Sequence, residues 1–219
     1  MQVRANFGRG FKGLGMILSV ALGLLGGDAR ALGLDFDALA SGSDAAAAST
    51  SGVTLGTNLV LSETDAQSLT GFDVTGWATT EPNGVLNTYE PVQTFVFSTP
   101  VSDFGVDVVG LPDGLGGYTA VLLQAFRAGS LVGIDVLDTG LFGPSGLPEQ
   151  RLVANGFQID RVTLTPVTVS GEGLPSFELV DETTTFFFDT VSFTPVPEPG
   201  TALLLVAGLA SLAAARREK

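Results

Sequence analysis

Any catalysis in this chain falls to carboxylates. Among its 219 residues there is no histidine and no cysteine, and lysine occurs only at positions 12 and 219. Those absences exclude Ser-His-Asp and Cys-His nucleophiles, histidine-bound zinc or copper, and Schiff-base lysines between the two ends. No glycine-rich phosphate loop of the required spacing follows a strand and opens a helix. A glycosidase needs two carboxyl groups facing one cleft; the seven glutamates from Glu63 to Glu182 supply candidates, but no spacing singles out a pair. Calcium is the cofactor that an oxygen-rich composition admits. Asp35, Asp37 and Asp189 are its candidate ligands, provided the first and last strands pair. The competing reading, with no cofactor, makes Asp35 and Asp37 solvated strand residues and Asp189 an acceptor for N–H groups at a bulge. Trp77, Tyr89 and Tyr118 are the only Trp and Tyr residues. Trp77, ahead of the loop Glu81-Pro82-Asn83-Gly84, is the candidate platform for stacking a sugar ring, against the alternative of a core-edge tryptophan.

The charge balance narrows the partners. From Ala31 to Pro199 there are 21 acidic residues against Arg127, Arg151 and Arg161, a net charge of -18. Such a surface repels nucleic acid and anionic lipid, so no nucleic-acid partner is expected. With no disulfide to staple the fold, stability must come from burying Val, Leu, Ile and the 15 Phe residues.

The elements that must position these side chains read as strands. Short apolar runs of period two alternate with Gly, Pro, Asn and Asp clusters, the pattern of antiparallel β structure. Ten strands are predicted, among them Val53 to Leu61, Ser68 to Trp77, Val92 to Ser98, Asp103 to Val109, Phe157 to Val169 and Thr184 to Phe193, and no run is helical over three turns. Turns are expected at Pro82-Asn83-Gly84, Pro112-Asp113-Gly114 and Gly143-Pro144-Ser145-Gly146, and Asn155-Gly156 is expected to begin a new strand. In Asp103 to Val108, Phe104, Val106 and Val108 share one face and Asp103 and Asp107 the other. Parity breaks twice: Phe157 and Ile159 against Val162 and Leu164, and Phe186 and Phe188 against Val191 and Phe193. A bulge near Asp160-Arg161 and another at Asp189-Thr190 would keep each set on the core side. The fold class is all-β, an antiparallel β-sandwich, jelly-roll-like, with a closed barrel as the second arrangement.

Both ends read as processing signals. Arg4, Arg9 and Lys12 precede an apolar run from Leu14 to Leu25, and Ala29-Arg30-Ala31 fits signal-peptidase cleavage after Ala31, so residues 1–31 are predicted to be a signal peptide. The β domain is expected over 32–195. In 196–219, Pro197 and Pro199 withhold two backbone donors and make an extended spur. Thr201 to Ala215 then forms an uncharged run of about 22 Å as a helix, short for a membrane span. Arg216, Arg217 and Lys219 follow as stop-transfer charges.

The order Pro197-Glu198-Pro199, short hydrophobic helix, Arg216-Arg217, on an exported chain, resembles the PEP-CTERM sorting signal of Gram-negative bacteria. The strand ending Phe187-Phe188-Asp189-Thr190-Val191-Ser192-Phe193 is also similar to the last strand of such proteins. The resemblance implies an inner-membrane intermediate, recognition of the Pro-Glu-Pro motif and removal of the tail by a membrane-embedded exosortase, a cysteine-dependent enzyme. Release or attachment at the cell surface or in the extracellular matrix would follow, often where exopolysaccharide or biofilm is made. The expected partners are the secretion machinery with its signal peptidase, the exosortase and exopolysaccharide. The expected role is non-catalytic, structural or binding; the alternative is a carbohydrate-binding or glycosidase-like matrix protein with paired carboxylates.

Overall fold

The structure is a computed structural model that describes residues 31–34, 36–50, 52–71, 83–113, 116–143, 146–170, 176–179, 185–196 and 208–209. Ala31–Val196 form one compact unit, and Met1–Arg30 with Pro197–Lys219 form a second. Of the second, only Gly208 and Leu209, both helical, are among the described residues, so the signal-peptide and sorting calls on Ala29, Pro197, Glu198, Pro199, Arg216 and Arg217 lie outside them. Among the described residues no helix is long and apolar enough to cross a membrane.

The first unit is all-β and antiparallel. Its strands are β1 (Leu32–Leu34), β2 (Val53–Leu55), β3 (Leu59–Ser62), β4 (Asn83–Leu86), β5 (Gln93–Gly110), β6 (Ala120–Arg127), β7 (Ser130–Val136), β8 (Glu149–Ser170), β9 (Ser176–Leu179) and β10 (Phe186–Pro195). They form one ladder in the order β3-β4-β10-β5-β8-β6-β7, with β1 on β10, β2 on β5 and β9 on β8. The first and last strands do pair, Leu32 opposite Phe193 and Leu34 opposite Val191.

Ring geometry shows how one ladder makes two layers. A straight strand would separate Phe95 from Phe104 by about 30 Å, yet their centroids lie 5.2 Å apart. β5 therefore folds back on itself around Pro100, where three extra residues interrupt its register with β8. Its first half lies with β2, β6, β7 and the second half of β8; its second half lies with β3, β4, β10 and the first half of β8. The main core fills the space between, with Phe36, Phe95, Phe104, Phe186 and Phe188 at most 1% exposed. Phe188 meets Phe36 and Phe95 edge-on at 5.8 and 5.7 Å, and each such buried ring contributes about 2–3 kcal/mol of transfer free energy. Where two separate strands were expected over Val92 to Ser98 and Asp103 to Val109, apolar periodicity could not see that one strand turns the corner.

Four further expectations change. Ser68–Thr70 end a helix, α1 (Glu63–Thr70), rather than begin a strand; Ser62 caps it by accepting from the Asp65 N–H, and Gly71 closes it at φ 76°. The Ser-x-x-Asp spacing over 62–65 is the signal that marks this start. Val53 to Leu61 is split into β2 and β3, because Asn58 leaves the ladder. Its buried side chain accepts from the Tyr89 and Glu90 N–H groups and donates to Gln93 Oε1 at 2.8 Å. Asn83 and Gly84 are strand residues opposite Ser62 and Leu61, not a turn. Asn155-Gly156 does not begin a strand: β8 runs through it, Gly156 taking φ 82° where the register shifts. The turn at Gly143–Gly146 is as expected, with Gly146 N–H donating to Gly143 O.

The parity break on β8 is present, with Ile159, Val162 and Leu164 all fully buried, but no bulge sits at Asp160-Arg161. Opposite them the extra residues belong to β5, between Val96 and Val101, and those of β8 fall between Asn155 and Ile159, where the strand passes from one layer to the other. The predicted bulge on β10 is present. On β10, Asp189 opposes Asp107 and Ser192 opposes Gly105, so one extra residue sits between, with Thr190 at φ 48°. Val191 and Phe193 thereby rejoin Phe186 and Phe188 in the core.

Candidate functional site

The bulge decides where Asp189 lies. Its cross-strand row is Asp189 on β10, Asp107 on β5 and Arg151 on β8, and partners in a row share a sheet face. This is the outward face of the β10-side layer. One row away, Phe187 and Val109 are roofed by a second apolar cluster that includes Ala66 of α1 and Leu147.

Arg151 ties three strands. Its Nη1 donates to both carboxylate oxygens of Asp107 at 3.0 Å and to Thr190 O at 3.3 Å, and its Nη2 donates to Ser192 Oγ at 2.6 Å. To reach β10 the guanidinium crosses β5 at Gly105, where a Cβ would lie 2.7 Å from Nη2. A side chain at this position would have to displace the guanidinium from its path to β10.

Asp189 is 5% exposed. Burial pushes its carboxyl up to about 6; hydrogen bonds from Thr190 oppose this, and the charges of Asp37 and Asp107 add to it. Thr190 Oγ1 donates to it at 3.2 Å. Asp37, which accepts from the Asn83 N–H at 3.1 Å, thus stands within electrostatic reach. Glu149, in the next row, is also raised, by burial and then by Asp107, and its Oε2 has no hydrogen-bond partner among the described residues. A shallow 150 Å³ depression continues from Arg151 over Asp103, Asn155, Ser192 and Thr194.

Of the predicted calcium ligands, Asp37 lies within electrostatic reach of Asp189, and Asp35 lies outside the described residues. Among the described residues no group of three or more acidic side chains is arranged to hold a metal ion. Asp160 accepts from the Ala128 N–H and so buttresses the β6–β7 turn, in which Ala128 and Gly129 both have positive φ. Trp77 lies outside the described residues; Tyr89 is exposed, and Tyr118 stands edge-on to Phe142 at 5.4 Å. Asp107, Arg151 and Gly105 are not among the candidate site residues read from the sequence. The available signal was Arg151 itself, one of three arginines in a strongly acidic segment.

The opposite outward face carries a trough of about 520 Å³ over β6, β8 and β7. Leu122, Gln124 and Phe126 of β6 lie beside Thr165, Thr163 and Arg161 of β8. The Arg161 guanidinium sits 4.3 Å above the Phe126 ring, a cation–π stack that holds it flat. Among the described residues no carboxylate lines this trough.

No family model matches the chain, and no curated protein matches it. Solved structures similar to the chain include these two. One is the carbohydrate-binding CBM51-2 and INT domains of Clostridium perfringens ZmpB in complex with GlcNAc, at 13% identity and TM-score 0.33, covering 75% of this chain and 32% of that one. The other is a family 43 glycoside hydrolase, an arabinoxylan arabinofuranohydrolase from Bacillus subtilis in complex with cellotetraose, at 18% identity and TM-score 0.31, covering 65% and 26%. The chain spans about a third or less of the length of either.

Proposed function

We propose that this is an exported cell-surface or extracellular-matrix protein, a jelly-roll-like β-sandwich with a non-catalytic structural or binding role, sorted through a PEP-CTERM tail. The observation that carries the reading is the order of the C-terminal elements: Pro197-Glu198-Pro199, an uncharged run from Thr201 to Ala215, and Arg216-Arg217. It is supported by the ending of the β domain. β10 finishes at Pro195 and the Val196 N–H donates to Pro100 O, so the ladder is complete just before the motif. Signal peptidase cleaves after Ala31, the inner membrane holds the tail transiently, and an exosortase removes it. Mass spectrometry of the mature protein from its host tests this. A C-terminus near the Pro-Glu-Pro motif is expected, and a surface pool intact through Lys219 overturns it.

The second reading, a carbohydrate-active enzyme, draws on one observation: Asp189 and Asp107 are cross-strand neighbours, with Asp189 raised to about 6. Two carboxyl groups at one site, one of them holding its proton to higher pH, are what acid–base glycoside hydrolysis uses. Against it, Asp189 is 5% exposed and Asp107 is held by Arg151, so neither carboxylate is presented to a sugar. Hydrolysis of a glycan panel that is lost in Asp189→Asn would favour the enzyme.

A further inference from the structure

We propose that the trough on β6, β8 and β7 binds an uncharged, hydroxyl-rich glycan chain. The inference rests on the binding role proposed above and adds its site and ligand class.

The registers define the surface. One row runs Leu131, Phe126, Arg161, Val96 across β7, β6, β8 and β5; the next runs Ile134, Gln124, Thr163, Thr94. Polar ends therefore stand on a grid of about 4.8 Å between strands and about 6.7 Å along them. Apolar rims flank this polar strip: Leu131, Ile134 and Val96 are 48, 54 and 47% exposed.

Three ligand classes fit this poorly. A polyanion meets the field of a segment whose net charge is -18. A cation finds no carboxylate among the described residues of the lining. A purely apolar partner would cover Gln124, Thr163 and Arg161 and leave their donors without acceptors, at a cost in desolvation for each. Arg161 has no carboxylate partner among the described residues; its stack on Phe126 leaves the in-plane N–H groups open to a neutral acceptor. A pyranose satisfies both parts of the surface: its hydroxyls exchange hydrogen bonds with Gln124, Thr163 and Arg161, and its C–H faces pack on the exposed Ile134 and Leu131.

The test applies the full chain to an array of neutral and uronate-bearing oligosaccharides, followed by titration of the best binder. Retention of neutral glycans is expected, with at least a tenfold weaker Kd in Thr163→Val and in Gln124→Ala and an unchanged unfolding midpoint. Absence of neutral binders, preference for uronates, or full affinity in the Thr163→Val/Gln124→Ala double variant overturns the proposal. So does a concentration-dependent dimer broken by Ile134→Ser, which would make a second copy the occupant. The C-terminal mass of the same preparations separates the two claims. Correct processing with no glycan binding rejects only the trough, whereas an unprocessed surface pool rejects the sorting reading.

Discussion

On one outward face of the sandwich β10, β5 and β8 set Asp189, Asp107 and Arg151 side by side, partly roofed and tied together; on the other, β8 and β6 set Arg161, Thr163 and Gln124 in an open trough. Two of the strands, β5 and β8, serve both faces. Both arginines stand on β8, one turned outward in each layer, yet Arg151 is locked by Asp107, Thr190 and Ser192, whereas Arg161 rests on an aromatic ring with no carboxylate partner among the described residues. The difference is in the neighbours that register supplies. On the first face the guanidinium is spent on holding crowded carboxylates; on the second it is available to something outside the chain.

That contrast can be broken most forcefully at Asp189. Its folded pKa is raised to about 6 from 3.8, so the folded chain keeps the proton to higher pH than the unfolded chain does. The stability that goes with this is complete below pH 3.8 and is lost as pH rises through 6, about 3 kcal/mol from this group alone. Asp189→Asn removes the loss. Denaturant titrations at pH 4 and 7 should find the variant about 3 kcal/mol more stable than the parent at pH 7 and with a flatter pH profile. A variant that is less stable at pH 7 would show that the ionised carboxylate is favoured in place.

Next in size is Arg151→Met. It leaves Asp107 beside Asp189 without its cation and should cost about 2 kcal/mol at pH 7, below the range for fully buried pairs because the arginine side chain is 40% exposed. The cost should shrink at pH 4, where Asp189 carries its proton and no longer crowds Asp107 with a second charge; a pH-independent loss would point to packing of the side-chain stem instead.

Gly105→Ala tests the same tie without touching a charge. Its Cβ would collide with the guanidinium, and the displaced arginine should cost about 1–2 kcal/mol. An unchanged thermal midpoint would mean that Arg151 can reach Ser192 by another path. The smallest effect belongs to the other face: Ile134→Ser, on an exposed rim, should change stability by less than about 0.5 kcal/mol at either pH. A larger change would make the trough part of the core and erase the contrast.

Much of the frame was legible in the residues. The parity break between Phe188 and Val191 located the β10 bulge, because a strand with one buried face cannot change parity without an extra residue. Alternation over Asp103 to Val108 put Asp107 outward, where it is found. α1 was missed despite its Ser-x-x-Asp start, since eight residues with one buried side chain carry little apolar periodicity. The buried Asn58, Asn87 and Gln93 gave no signal either; polar side chains that satisfy backbone groups inside a fold look, in sequence, like any loop residue.

The amino-acid sequence by itself determined the chemistry this protein lacks, through its missing histidine and cysteine, and it determined the antiparallel alternation, the acidic balance and the tail motif. These are properties of composition and of neighbours along the chain. Tertiary structure alone decided that Asp37, Asp107, Arg151 and Asp189 would come within electrostatic reach of one another, and that Arg161 would come to rest on Phe126. Those encounters join residues up to 152 positions apart. They depend on strand order, on register and on the fold-back of β5, which no local pattern encodes.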